Sequence, residues 1–187
     1  MRGHLYILSA PSGTGKTTLC NKLLHTTPGL VRSVSVTTRL PRRGEVDGKD
    51  YHFVSPTAFQ RLKRSGGLLE WTAYAHAFYG TPLDPLKCFL TEGKDVMLLL
   101  DVQGAREVKK RFKKATTIFL LPPSFEDLKK RLARRRTEKE RDIEKRLHLA
   151  KQEITQVDWY DHVVVNDALY RAVRALKKIV RKGRSNR

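Results

Sequence analysis

The sequence predicts an α/β fold in which helices cover both faces of a parallel sheet, making three layers, with a block of small mixed strands inserted. Three observations predict it. Four apolar runs, "LYILS" (5–9), "VMLLL" (96–100), "TIFLL" (117–121) and "VVV" (163–165), have the unbroken hydrophobicity of strands buried on both faces. A helical pattern follows each of them, the rhythm of βα units. Between about residues 33 and 93 that rhythm gives way to short alternation, turns and most of the aromatic residues. At 187 residues and 40% hydrophobic, the chain can bury a proper core, and a single domain over 1–187 is expected.

The elements follow in order. A helix over 16–25 leaves the first strand. The insertion opens with the alternating "SVSVT" and "YHFV", is punctuated by "PRRGEVDG", and holds one short helix after Pro56. A helix over 103–112 follows the second apolar run. Another, over 124–134, follows the third, with Ser124 as its N-cap and Asp127 three residues on. Residues 168–180 place Leu169, Ala172, Val173, Leu176, Ile179 and Val180 on one face and bases on the other, an amphipathic helix. The basic end "RKGRSNR" is expected to fray.

Composition narrows the class. Lys plus Arg number 38 against 19 acids, a net charge of +19, densest over 106–151 and 171–187. Such a field attracts polyanions, but no zinc knuckle or aromatic-interleaved strand accompanies it. Nucleic-acid binding is therefore a weak electrostatic possibility beside a basic surface around small phosphorylated ligands. Cys20 and Cys88 are far apart and in no metal-ligand spacing, so reduced thiols and a cytoplasmic location are expected. There is no apolar stretch of signal-peptide type or membrane-spanning length.

The stretch "SAPSGTGKTT" (9–18) carries the chemistry. A strand, then Gly13, Thr14, Gly15, Lys16 and Thr17, then a helix, is the layout of a phosphate-binding loop. Glycines let backbone N–H groups converge on phosphate oxygens, and the helix adds the positive end of its dipole. Lys16 supplies a charge for the β- and γ-phosphates, and Thr17 a hydroxyl for Mg²⁺. Ala10 stands where the usual pattern has Gly, a mild departure that a position without positive φ accommodates. The run Ala10, Pro11, Ser12, Gly13, Thr14, Gly15, Lys16, Thr17 and Thr18 is expected to hold a nucleoside triphosphate, ATP.

Behind this loop come "SVSVTTRLPRRGEVDGKDYHFV" (33–54), "LLEWTAYAHAFYGTP" (68–82), "LLLDVQGAREVKKRF" (98–112), "LLPPSFEDLKKRLARRRT" (120–137), "DIEKRL" (142–147) and "VVVND" (163–167). Together they resemble the guanylate kinases, from about Leu5 to Lys178. The resemblance implies a three-layer P-loop kinase core (1–32, 94–124 and 149–182), a GMP-binding insertion (33–93), a helical lid (125–148) and a basic tail (183–187). It implies transfer of the ATP γ-phosphate to GMP, and to dGMP, with Mg²⁺. Ser35, Arg39, Arg42 and Tyr51 match positions that grip the GMP phosphate; guanidinium forks suit that dianion. Glu70 matches the carboxylate that accepts from guanine N1–H and the 2-amino group, which adenine would leave buried and unpaired. Thr81 matches a donor to guanine O6, Tyr79 lies beside the acceptor, and Asp101 ends its strand near the base or the metal's water shell.

For the transfer step the resemblance points to Lys16, Arg39, Arg42 and three further arginines. Arg131 and Arg135 match lid residues reaching ATP phosphates, Arg146 matches one bridging to the acceptor, and Asn166 is placed near adenine. Arg134 and Arg136 are basic neighbours that blur which arginine closes the site. Many relatives have two alternating carboxylates before "QG"; here Leu99-Leu100-Asp101 keeps one, so Mg²⁺ would rest on Thr17, ATP oxygens and water. Taken singly, these residues could be a solvated basic loop, a turn cap or insertion core. A sugar-bisphosphate kinase of the same fold and a non-catalytic interaction module are the competing readings. Monomer and homo-oligomer both stay open.

Overall fold

Alternation within continuous apolar runs builds the core. The computed structural model describes residues 3–74, 76–133 and 140–185, with the backbone alone for 140–142. In β1 (Leu5–Ser9) every residue is buried, yet successive side chains enter different layers. Tyr6 and Leu8 pack with Leu19, Cys20 and Leu23 of α1 (Lys16–His25). Leu5 and Ile7 pack into a separate cluster on the opposite face.

The chain continues through β2 (Leu30–Arg32), β3 (Val36–Thr37), β4 (His52–Phe53), α2 (Pro56–Arg64), β5 (Leu68–Tyr74), β6 (Ala77–Pro82) and α3 (Leu83–Thr91). Then follow β7 (Asp95–Leu100), α4 (Val102–Arg111), β8 (Thr116–Leu121), α5 (Phe125–Ala133) and α6 (Glu140–Ile154). A 3-10 turn (Val157–Trp159), β9 (His162–Val165) and α7 (Leu169–Ser185) complete it. The first sheet runs β2-β7-β1-β8-β9, with every pairing parallel. Ala172, Val173, Leu176 and Val180 bring α7 beside α1 on one face. Leu86 and Leu90 of α3 join Val102, Ala105 and Val108 of α4 on the other. These are the three layers the sequence predicts.

The second sheet, β4-β3-β6-β5, is mixed: β3 and β4 are parallel, while β3–β6 and β5–β6 are antiparallel. Its core is small, with Phe59 of α2 against Val36 and Leu68. Ser55 caps α2 by accepting from the Ala58 N–H at 3.1 Å, with Pro56 in the first turn. Helices α5 and α6 pair through Leu128, Leu132 and Ala150, with Ile143 and Leu147 packed alongside. Ser124 accepts from the Asp127 N–H at 3.0 Å and donates to its carboxylate at 2.9 Å, capping α5 as the sequence predicts.

Several details differ from expectation. The three-residue β2 joins the parallel sheet beside β7, and α3 packs on that sheet rather than on the small strands. Helix α6 is continuous across the boundary expected at 148. The basic end is not frayed as far as Ser185: Arg184 bonds the buried Asp95 carboxylate at 2.7 Å and the Pro28 carbonyl at 2.7 Å, extending α7. Among the described residues no helix is long and apolar enough to cross a membrane.

Candidate active site

The expected phosphate loop is the turn between β1 and α1. Gly13 and Gly15 have φ of 91° and 95°, a left-handed conformation that side chains with a Cβ rarely adopt. Gly15 is the N-cap of α1, whose first turn has no side-chain cap and no acidic residue. The helix therefore keeps its positive end directed at the loop, the arrangement that favours an anion. Lys16 turns inward, and its Nζ donates to the Leu100 carbonyl at 2.9 Å. Burial lowers its pKa, opposed by the carboxylates of Glu153 and Asp101.

Three residues from distant parts of the chain bond to the loop. Asn166, after β9, donates from Nδ2 to the Thr14 carbonyl at 2.7 Å. Arg131, on α5, donates to the same carbonyl at 3.1 Å and to the Asn166 carbonyl at 3.2 Å. Arg146, on α6, donates to Ser12 Oγ at 3.3 Å. Arg131 and Arg146 therefore both reach the phosphate loop. Arg135, with Arg134 and Arg136, lies outside the described residues.

At the other end stands Glu70. Along β5 the register shifts by one residue, so that Leu68 opposes Pro82 while Glu70 opposes Thr81. This bulge re-aims the strand. It leaves Leu69 in the main core and turns Glu70 toward Thr81 and the start of α4. Thr81 Oγ1 donates to Glu70 Oε1 at 2.6 Å. A Cβ at Gly104 would lie 2.9 Å from Glu70 Oε2 and 3.2 Å from Asp101 Oδ1, so the helix approaches this closely because the position is glycine. Asp101 caps α4, accepting from the Gly104 N–H at 2.7 Å. Burial raises the Glu70 pKa to about 7; the Thr81 hydrogen bond opposes this and the negative Asp101 adds to it.

The residues expected to grip a phosphate gather on the same sheet. The Arg39 guanidinium lies 5.3 Å from the Tyr51 ring centroid, and Tyr51 meets Tyr79 edge-on at 5.9 Å. Ser35 adjoins them through its carbonyl, which accepts from the His52 N–H at 2.9 Å. Arg42 follows on the loop after Arg39. Sequence reasoning missed Glu45, which takes the Arg39 fork bidentately at 2.8 and 2.9 Å and the Arg42 backbone N–H at 2.7 Å. Burial alone would raise the Glu45 pKa; the Arg39 and Arg42 bonds outweigh it and hold the carboxyl below its ordinary range. Its trace in the sequence is the acid inside "RLPRRGE" (39–45), between residues assigned to an anion.

A cavity of about 600 Å³ opens between the tip of β5, the start of α4 and α6, lined among others by Tyr74, His76, Asp101, Gln103, Arg146 and Glu153. Glu153 was also missed. Burial raises its pKa to about 7, with Lys16 opposing and Asp101 adding. For a metal, the available donors are oxygens: the exposed Thr17 hydroxyl and the Asp101 carboxylate. Leu99 packs against the core on the α1 side and offers none. Among the described residues no group of three His, Cys, Asp or Glu could hold an ion. Few protein ligands, all hard oxygens, suit Mg²⁺, which keeps waters and substrate phosphate oxygens around it.

The sequence profile of guanylate kinases matches residues 2–183. A guanylate kinase of Geobacter sulfurreducens is 46% identical over 178 residues, covering 95% of this chain and 88% of that protein. One of Bacillus cereus is 48% identical over 180 residues, covering 96% and 88%. The crystal structure of guanylate kinase from Anaplasma phagocytophilum superposes with a TM-score of 0.83 at 34% identity, covering 97% of this chain and 86% of that one. With this coverage from both directions, the chain belongs to the guanylate kinase family.

Proposed function

We propose that this protein transfers the γ-phosphate of ATP to GMP, and to dGMP, giving ADP and the corresponding diphosphate. The observation that carries the reading is the presence in one chain of a left-handed glycine turn at an uncapped helix N-terminus and a buried, Thr81-bonded carboxylate, Glu70. Guanine offers two adjacent donors, N1–H and the 2-amino group. An ionised Glu70 accepts both, while the Thr81 hydroxyl can turn to donate to O6. Adenine has a bare N1 there and would bury the carboxylate against an acceptor.

The chemistry asks little of the protein beyond positioning and charge. A GMP phosphate oxygen, already anionic, attacks the γ-phosphorus in line; the bond to the β–γ bridging oxygen breaks and ADP departs with that electron pair. No proton need be removed, so no general base is assigned. Lys16 and the loop amides hold the donor phosphates, Arg131 and Arg146 bring positive charge from α5 and α6, and Arg135 is assigned beside them from its spacing. Arg39, Arg42, Ser35, Tyr51 and Tyr79 hold the acceptor phosphate, and Asn166 steadies the loop near the adenosine. Mg²⁺ would be held by Thr17, with Asp101 near its water shell, and supplies charge neutralisation of the donor phosphates.

Arg39 gives a direct check. Its alanine variant loses a bidentate cation and leaves Glu45 facing the acceptor phosphate, two changes of the same sign. The KM for GMP should rise about thirtyfold or more, with the KM for ATP within about twofold. The reading itself is tested by product analysis. GDP and ADP should form in equal amounts from GMP, ATP and Mg²⁺, and neither should form when Mg²⁺ is chelated.

A further inference from the structure

Helix α4 runs along the bulge that turns Glu70. Leu69 is the extra residue of that bulge: Leu68 and Glu70 stand opposite residues of β6, and Leu69 falls between them. A bulge disrupts the ladder locally, so its backbone groups need partners from elsewhere. Arg111, 42 positions away in the last turn of α4, supplies one, its Nη1 donating to the Leu69 carbonyl at 2.7 Å. The Leu69 side chain enters the cluster that holds Val102, Ala105 and Val108 of the same helix.

The carboxylate that follows meets the other end of the helix. Gly104 and Arg111 share a face of α4 two turns apart, about 10 Å along its axis. A Cβ at Gly104 would lie 2.9 Å from Glu70 Oε2, closer than such atoms pack. Thr81 already holds Oε1 at 2.6 Å. Glu70 therefore points between a hydroxyl of β6 and a helix position without a side chain, and Arg111 pins the backbone just before it.

We propose that α4 sets the aim of the base-reading carboxylate, with Arg111 and Gly104 as positioning residues for guanine recognition. The proposal rests on the phosphotransferase reading above. A carboxylate accepts two adjacent donors together only in one orientation, so an aim fixed before the base arrives adds to affinity and to selectivity. Without the Arg111 donor, the Leu69 carbonyl turns to water and the residue after it is no longer pinned. With a methyl group at position 104, the carboxylate must swing aside. The fold loses little by that, because only the far end of a flexible side chain moves, whereas guanine recognition loses its acceptor geometry. Both residues act through Glu70.

The test measures GMP, AMP and ATP kinetics on the full chain for Arg111→Met, Arg111→Lys and Gly104→Ala, with Arg111→Met repeated in the Glu70→Gln background. Arg111→Met keeps a long side chain without its donors. It should raise the KM for GMP about tenfold, with kcat and the KM for ATP each within about threefold. The preference for GMP over AMP should fall by about the same factor. Arg111→Lys can still donate to the carbonyl and should recover most of the loss. Gly104→Ala should show the same split while melting within a few degrees of the unmutated protein, since alanine suits a helix. In the Glu70→Gln background, Arg111→Met should cost less than about twofold further, because the group it directs is already gone. An unchanged KM for GMP in Arg111→Met or Gly104→Ala overturns the proposal, as does an equal loss with and without the Glu70 carboxylate. So does a matching rise in the KM for ATP, which marks a general loosening of the fold. An unmutated protein that forms no ADP with GMP overturns the phosphotransferase reading instead, and shows itself before any variant is made.

Discussion

Lys16→Ala is expected to lower kcat by about a thousandfold or more while the protein still unfolds cooperatively at nearly the same temperature. On the proposed reading, the catalytic loss follows from removing the side-chain cation of the loop, which would stabilise charge on the transferred group. Conserved stability follows from where Lys16 sits. Its Nζ meets the Leu100 carbonyl and the field of Glu153 and Asp101. Without the ammonium, Glu153, already raised to about 7, takes up a proton more readily and need not remain as an unpaired buried charge. Turnover by coupled ADP release, with melting followed by circular dichroism, checks both halves. Loss of activity with loss of the fold would show that Lys16 is structural.

Glu70→Gln should lower kcat/KM for GMP about a hundredfold or more, leave the KM for ATP within about twofold, and erase most of the preference over AMP. Glutamine presents one acceptor and one donor where guanine presents two donors, so one contact becomes donor against donor. The carboxylate also carries a pH signature. Guanine favours its ionised form, and burial has raised its pKa to about 7. GMP should therefore bind more weakly as pH falls below 7, by up to tenfold per unit, with proton release on binding near pH 6.5. Calorimetry in two buffers of different ionisation enthalpy measures that release, and the Gln variant should lack it.

The same shift fixes a stability slope. An acid raised from 4.5 to about 7 binds its proton more tightly folded than unfolded. Stability therefore falls as pH rises from about 4.5 to about 7. Glu70→Gln should flatten that slope, and Glu153, raised to a similar value, accounts for what remains.

Much of the frame was legible because it rests on local pattern. Residues 5–9 and 16–25 form their strand and helix with the expected limits, since an unbroken apolar run and a glycine-rich turn leave little choice. Ser124 and Pro56 mark helix starts for equally local reasons. Other elements depend on distant partners. "LVR" (30–32) is too short to declare itself and becomes a strand by pairing with β7. Pro85 interrupts the pattern of α3, though Leu86 and Leu90 supply its buried face. The basic end reads as a solvated tail until Asp95, 89 positions away, accepts from Arg184.

The candidate site divides in the same way. The glycine-rich turn declares itself locally, and Glu70, Thr81, Arg39 and Tyr51 were legible through resemblance; the fold pairs Glu70 with Thr81 and Arg39 with Tyr51. The bulge at Leu69 that turns Glu70 was not legible, nor was the glycine at 104 that admits α4 beside it. Glu45 and Glu153 escaped notice because what they do depends on Arg39 and Lys16, which no local pattern reveals. An isolated acid on a polar stretch looks like surface.

The most direct measurement compares kcat/KM for GMP and AMP on the purified, unmutated chain, with saturating ATP and Mg²⁺ at neutral pH. A buried acceptor carboxylate reading two donors predicts a preference for GMP of a hundredfold or more. Comparable turnover of AMP, or no ADP formed with GMP, would contradict the account at its base.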